Sequence, residues 1–218
     1  MASLRIGLTQ RVEEIKSYGE RRDCLDQAWT HLLCELEFTP IPLSNCVEDV
    51  EHYVDRIGLD GVILTGGNDI EGLPGGNNFA PIRDRFERKL LKHSSTRQLP
   101  VFGFCRGMQM LVAYYGGKLT PIENHVAKSH PIHVCDHNIP SYFDDLCRDE
   151  VNSFHNFGVT ALHLGHKLLS VATAADGSIE AIAHPSLPQA AVMWHPERRP
   201  NDHRDAKMIQ RFFQGALR

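Results

Sequence analysis

The 218 residues carry 23 Lys and Arg against 27 Asp and Glu, a formal net charge of -4, with 42% apolar side chains. That length and apolar content fit one α/β domain spanning 1–218, leave no room for a second catalytic domain, and the acidic balance argues against a nucleic-acid-binding surface. No apolar run approaches the ~20 residues of a membrane span, and Met-Ala-Ser leads straight into a strand-like segment. The expectation is a soluble cytoplasmic protein without nucleic-acid or membrane partners.

Leu4 to Thr9 reads as a strand. Glu20 to Glu37 reads as a helix, with Leu25, Ala28, Trp29, Leu32, Leu33 and Leu36 at helical spacing on one face. Thr39-Pro-Ile-Pro-Leu43 follows as an edge strand, because its prolines cannot donate to a central ladder. Then come a helix over Val47 to Ile57, a buried strand over Gly61 to Thr65, a helix over Arg83 to Arg97 and a strand over Leu99 to Phe104. This alternation implies right-handed crossovers and a mainly parallel sheet with helices on both faces. After Lys118 strand-like pieces succeed one another, a small additional β region. Leu168 to Ala174 and Ser178 to Ala183 form a hairpin on Asp176-Gly177, and Asp202 to Leu217 is a closing helix with Ile209, Phe212 and Phe213 inward.

The chemistry concentrates at Gly103-Phe-Cys105-Arg-Gly107, where an apolar strand breaks and a helix begins at about Met108. A cysteine between two glycines at a strand-to-helix switch is the thiol form of the nucleophile elbow, and the adjoining helix N-terminus favours the thiolate. Cys105 needs a base. Ala190-Ala-Val-Met-Trp-His195-Pro-Glu197 supplies a histidine at the end of a second apolar run, with a carboxylate two positions on. In an extended segment side chains two apart point the same way, so Glu197 is placed to orient the His195 imidazole. A lone cysteine is more often core and a lone histidine beside proline more often a loop residue. The joint pattern favours a Cys105–His195–Glu197 triad. Backbone N–H groups of Arg106 and of the turn Gly66-Gly67 are candidates for the oxyanion hole. The six cysteines (Cys24, Cys34, Cys46, Cys105, Cys135, Cys147) form no Cys-x-x-Cys pair and no dense framework, which predicts reduced thiols.

Four separated motifs carry a resemblance that spans most of the chain: Gly66-Gly67-Asn68-Asp69-Ile70, Gly103 to Gln109, Val151-Asn152-Ser153-Phe154-His155 and His195-Pro196-Glu197. They resemble the class I glutamine amidotransferase-like hydrolases of the peptidase C26 kind, in particular the stand-alone γ-glutamyl hydrolases. The resemblance implies a flavodoxin-like sheet and hydrolysis of a γ-glutamyl amide through a thioester on Cys105. It also implies oxyanion donors from Gly67 and Arg106, and a glutamyl pocket to which Gly66, Gln109, Asn152, Ser153 and His155 contribute. Where many polyamine-pathway relatives continue Asn-Ser with His-His-Gln, this chain has Phe154-His155-Asn156, which speaks against γ-glutamyl-aminobutyrate as substrate. Arg11, Arg21, Arg22, Arg198 and Arg199 gather near the motifs and suit an anionic leaving group, although solvated surface charge is the ordinary reading of any one of them. The N-terminal stretch is similar to that of γ-glutamyl-CDP-amidate hydrolases of capsule phosphoramidate pathways. The rival reading is a glutaminase subunit that delivers ammonia to a synthase partner; Arg106, where such subunits usually carry Leu or Tyr, points to the hydrolases.

His133, Cys135 and His137, with His130 nearby, offer metal-ligand side chains on one strand. Same-face neighbours on a strand lie ~7 Å apart, too far for one ion without bending. The resemblance places an ordinary histidine-containing strand here, and neither a metal nor a cofactor is expected.

Overall fold

The computed structural model describes residues 3–135, 139–144, 146, 148–199 and 202–215, with backbone only at 148 and 149. Strand β1 (Arg5–Leu8) leads into a hairpin of β2 (Arg11–Ile15) and β3 (Glu20–Cys24), then α1 (Gln27–Glu35), β4 (Thr39–Pro42), α2 (Val50–Ile57), β5 (Gly61–Leu64) and α3 (Pro81–Arg97). Next are β6 (Val101–Phe104), α4 (Arg106–Tyr114) and the two-residue β7 (Thr120–Pro121). The second half contains β8 (Val126–Val134), β9 (Arg148–Phe154), β10 (Phe157–Gly158), β11 (Leu169–Thr173), β12 (Ile179–Ala183), β13 (Gln189–Val192) and α5 (His203–Gly215).

Nine strands form one sheet in the order β4-β1-β5-β6-β13-β12-β11-β8-β9. The ladders from β4 to β13 are parallel, and those from β13 to β9 antiparallel. The proline-bearing β4 lies at an edge, as its missing donors require. Strands in the parallel half are apolar on both sides because helices cover both faces. Ile6, Leu8, Ile63, Phe102 and Phe104 pack with Trp29 of α1 and Phe212 and Phe213 of α5. Val62, Leu64 and Val101 pack with α2, α3 and α4 through Val54, Leu90 and Leu111. The β11–β12 hairpin turns at Gly177, whose φ is +84°.

The long helix expected from Glu20 is corrected. Residues Glu20–Cys24 pair antiparallel with Arg11–Ile15, and the chain reverses at Gly19 with φ +69°. The helix begins only after Asp26, whose carboxylate accepts from the Ala28 N–H as its cap. The apolar stripe starts at Leu25, so residues 20–24 had no buried face to hold them helical. The five described cysteines are free, and Cys147 lies outside the described residues. Among the described residues no helix is long and apolar enough to cross a membrane.

Candidate active site

Cys105 sits where β6 ends and α4 begins, with φ 52° and ψ -106°. That is an uncommon conformation for a residue with a Cβ, of the kind that costs ~1–3 kcal/mol and survives only where the surroundings fix it. One hydrogen bond and the close packing of the flanking glycines fix it. The Cys105 N–H donates to the Val192 carbonyl at 2.9 Å. A Cβ at Gly103 would lie 2.7 Å from the Gly107 carbonyl carbon, and one at Gly107 would strike the Leu64 carbonyl. Both glycines of the elbow are therefore set by backbone packing of β5, β6 and α4, and the cysteine between them is carried up to the end of the sheet, 7% exposed.

His195 follows β13, the neighbour of β6, and reaches the same point: a Cβ on Gly66 would lie 3.1 Å from His195 Cε1 and 3.7 Å from Cys105 Cβ. His195 Nδ1 and Glu197 Oε1 are 2.7 Å apart, both side chains buried. The contact predicted between them is present, by a different route. Pro196–Arg198 forms a 3₁₀ turn rather than extended chain, and the turn swings the carboxylate back onto the ring. Burial alone would lower the His195 pKa; the Cys105 charge and the hydrogen-bonded Glu197 carboxylate outweigh it and raise it to about 10. Asn152 of β9 grips the backbone of this histidine, its Oδ1 accepting from the His195 N–H at 2.8 Å and its Nδ2 donating to the His195 carbonyl at 2.9 Å.

Beneath the cleft lies a buried ionic network that sequence reasoning missed. Arg83 donates to three successive carbonyls: Thr65 at 2.7 Å, Gly66 at 3.0 Å and Gly67 at 2.5 Å. Its Nε donates to Glu87 at 2.8 Å, and the Arg106 guanidinium pairs with both Asp84 and Glu87. Burial and neighbouring Arg106 lower the Arg83 pKa to about 10, against the pull of Glu87. Because C=O and N–H point opposite ways across a trans peptide, carbonyls turned down to Arg83 turn the N–H groups of Gly67 and Asn68 the other way. The Arg83–Glu87 pair had an i,i+4 signal in the sequence. A run as charged as Arg83-Asp-Arg-Phe-Glu-Arg88 reads as a solvated face, and only its position under the glycine turn buries it.

A cleft of about 150 Å³ is lined by Arg11, Thr65, Gly66, Gly67, Cys105, Phe154, His195, Glu197 and Arg198, together with Cys24 to Asp26 and Trp29. Of the five predicted arginines, Arg11 and Arg198 line it. Arg198 lies 4.6 Å over the Phe154 ring, and the Arg11 stem packs against Gly67. The other three are corrected. Arg21 and Arg22 stand on the exposed hairpin, not at a helix start, Arg22 pairing with Glu20 at 2.5 Å; Arg199 donates to the Glu150 carbonyl at 2.8 Å. Four residues expected around the glutamyl group are engaged elsewhere. Gln109 donates to the Phe157 carbonyl at 2.9 Å, Ser153 to the His125 carbonyl at 2.7 Å, Asn152 holds His195, and His155 is buried beside Glu180. His137 of the predicted histidine strand lies outside the described residues. His130 turns towards His125, with ring centroids 4.6 Å apart.

The peptidase C26 family profile matches residues 6–197. The chain belongs to the peptidase C26 family. It is 33% identical over 211 residues to the γ-glutamyl-CDP-amidate hydrolase of Campylobacter jejuni, covering 95% of this chain and 96% of that one. It is 29% identical to the γ-glutamyl-γ-aminobutyrate hydrolase of Escherichia coli O157:H7, covering 91% and 87%. A solved structure assigned to a GMP synthase subunit of Thermoplasma acidophilum superposes with a TM-score of 0.74 at 18% identity, over 100% of this chain and 96% of that one. That likeness establishes the class I glutamine amidotransferase fold expected from the motifs.

Proposed function

We propose that the chain is a stand-alone γ-glutamyl hydrolase working through Cys105, His195 and Glu197. The observation that carries this reading is the meeting of Cys105 and His195 on Gly66, with Glu197 on the outer nitrogen of the imidazole, in a chain whose C26 relatives include γ-glutamyl hydrolases. The thiolate attacks the γ-carbonyl, and the oxyanion is met by the N–H of Arg106 and that of Gly67. His195 gives a proton to the departing nitrogen, leaving a γ-glutamyl thioester, then takes one from the water that releases glutamate. Glu197 fixes the tautomer and offsets the imidazolium charge.

The leaving group is anionic, of the γ-glutamyl nucleotide amidate type. Arg11 and Arg198 line the same cleft as Cys105 and His195, Arg11 lying 3.2 Å from Glu13 and Arg198 3.7 Å from Glu197, and the relative from Campylobacter jejuni is named for such a substrate. The test is glutamate release by the purified chain from γ-glutamyl-CDP-amidate, γ-glutamyl phosphoramidates, a neutral γ-glutamyl anilide and free glutamine. Release without any added protein, best from the anionic compounds, is expected. Glutamine as the best substrate, with turnover that appears only when a synthase is added, would assign the chain to the glutaminase subunits instead.

A further inference from the structure

Four side chains from separate parts of the second half converge. His125 precedes β8, His130 lies on β8, His155 links β9 to β10 and Glu180 lies on β12. One nitrogen or oxygen from each falls within a group whose members are all within 4.8 Å of one another. His125, His155 and Glu180 are 5%, 3% and 1% exposed. Glu180 Oε1 is 3.5 Å from His125 Nδ1 and 3.8 Å from His155 Nε2, and its Oε2 is 3.9 Å from His130 Nε2. These separations exceed a hydrogen bond, and His130 Nε2, His155 Nε2 and Glu180 Oε2 are buried without a hydrogen-bond partner among the described residues.

The outward nitrogens explain which way the lone pairs face. His125 Nε2 lies 3.0 Å from Asp176 Oδ2, His130 Nδ1 lies 3.1 Å from the Pro131 carbonyl, and His155 Nδ1 lies 3.2 Å from the Phe157 carbonyl. All three partners are acceptors, so each outward nitrogen carries the ring proton and each inward nitrogen presents a bare lone pair. Two hydroxyls border the cluster, and their shorter bonds point away from it: Ser178 Oγ donates to Asp176 at 2.7 Å with Glu180 Oε1 at 3.4 Å, and Ser153 Oγ donates to the His125 carbonyl at 2.7 Å with His125 Nδ1 at 3.4 Å. Three lone pairs and a carboxylate facing one another repel unless a proton or a metal cation lies among them. Histidines held from behind by carboxylate or carbonyl acceptors are the usual setting of metal-ligating imidazoles.

We infer that His125, His130, His155 and Glu180 form a closed four-ligand site for a divalent cation of the zinc class. Bonds of about 2.0–2.1 Å in tetrahedral geometry put ligand atoms about 3.4 Å apart; one atom from each of the four residues lies within 4.8 Å of the others, so closing on an ion draws the widest pair in by up to about 1.4 Å. Three imidazoles with one carboxylate suit zinc better than the oxygen-seeking Mg²⁺ or Ca²⁺. With all four positions filled by protein, the ion is structural. It ties the β8–β9 arm to β12, an arm that among the described residues meets β11 through Ala172↔Val134, Thr173↔His133 and the Cys135 N–H donating to the Val171 carbonyl at 2.8 Å. Asn152, which grips His195, rides on that arm.

The test uses the full chain, stripped by chelating resin and then offered Zn²⁺. One Zn²⁺ per chain by elemental analysis is expected, and Co²⁺ in its place should give the visible absorption of a tetrahedral site. In chelator competition His130→Gln and Glu180→Gln should each weaken zinc at least ten-fold. Asp176→Asn, which releases the back of His125 without touching the ion, should weaken it about 10- to 100-fold. His130 is the most exposed of the four, so if Glu180→Gln does not fold, His130→Gln and the Co²⁺ spectrum of the parent chain decide. No zinc uptake by the parent, a Co²⁺ spectrum of an octahedral site, or undiminished affinity in His130→Gln would each overturn the inference. All readouts are made without substrate, so they stand apart from the hydrolase reading.

Discussion

Replacing Arg83 by lysine tests whether the glycine turn is aimed from below. The guanidinium makes five side-chain hydrogen bonds of 3.2 Å or less: to Glu87, Gly66, Gly67, and to both the carbonyl and the hydroxyl of Thr65. Lysine keeps a charge beside Glu87 but offers at most three donors from one point, and it cannot span three successive carbonyls. Losing two or more buried hydrogen bonds to a charged donor, at ~1.5–3 kcal/mol each but partly compensating, predicts destabilisation of about 2–4 kcal/mol. The catalytic effect follows from the peptide planes. Once the Gly66 carbonyl is released, the Gly67 N–H loses its fixed direction, and loss of one oxyanion donor typically costs about 10²–10³ in kcat. Urea unfolding gives the first quantity, and steady-state glutamate release, measured well below the unfolding transition, gives the second. The decisive pattern is a large fall in kcat with KM little changed. A folded Arg83→Lys enzyme with kcat within two-fold of the parent would refute the argument that this arginine aims the oxyanion hole.

Other outcomes follow from the same geometry. Cys105→Ala should abolish glutamate release while leaving the unfolding midpoint near that of the parent, and brief iodoacetamide treatment read by mass spectrometry should mark Cys105 before the other five cysteines. In Glu197→Gln the His195 pKa should fall from about 10. A raised folded-state pKa contributes stability that is complete below ~6.5 and lost as pH rises towards 10, so urea titrations from pH 6.5 to 10 should show a smaller loss, finished at lower pH, in the variant. Arg11→Ala and Arg198→Ala should each lower kcat/KM about ten- to a hundredfold on an anionic γ-glutamyl amidate and much less on the neutral anilide. Arg21→Ala, Arg22→Ala and Arg199→Ala should leave both unchanged; equal losses on both substrates would argue against anion binding.

What was legible in the sequence was local. The elbow, the Gly66-Gly67 turn and His195-Pro-Glu197 are short segments whose chemistry is written in consecutive residues, and the parallel half of the sheet announces itself by continuous apolar runs such as Gly61 to Leu64. The hairpin over residues 11–24 was not legible because its charges alternate on an exposed surface where no buried face records the period. The histidine cluster was hidden for a different reason. Period-two counting groups residues on an ideal strand, whereas β8 has register irregularities on both sides of His130 and its partners come from positions 125, 155 and 180. Side chains assigned to substrate, such as Gln109 and Asn152, prove to hold the backbone around the site. From sequence alone, a polar residue near a catalytic motif gives no sign of whether its partner is ligand or main chain.

Arg106 shows how a marker residue acts without touching substrate. Its side chain is 1% exposed and paired with Asp84 and Glu87, so it is withdrawn from the cleft and only its backbone N–H remains available to an oxyanion. The network contains two arginines and two carboxylates. Removing Arg106 would leave Asp84 without its buried counter-charge and Glu87 with only Arg83, a loss of the kind that costs about 3–5 kcal/mol. A leucine or tyrosine after the cysteine, as in amidotransferase glutaminases, is therefore not a simple exchange here. In this chain it would leave the acidic groups that α3 buries beneath the elbow without that counter-charge. The identity of the residue after the nucleophile thus reports on the support under the glycine turn, and through Arg83 on the direction of the Gly67 N–H, not on a contact with the leaving group.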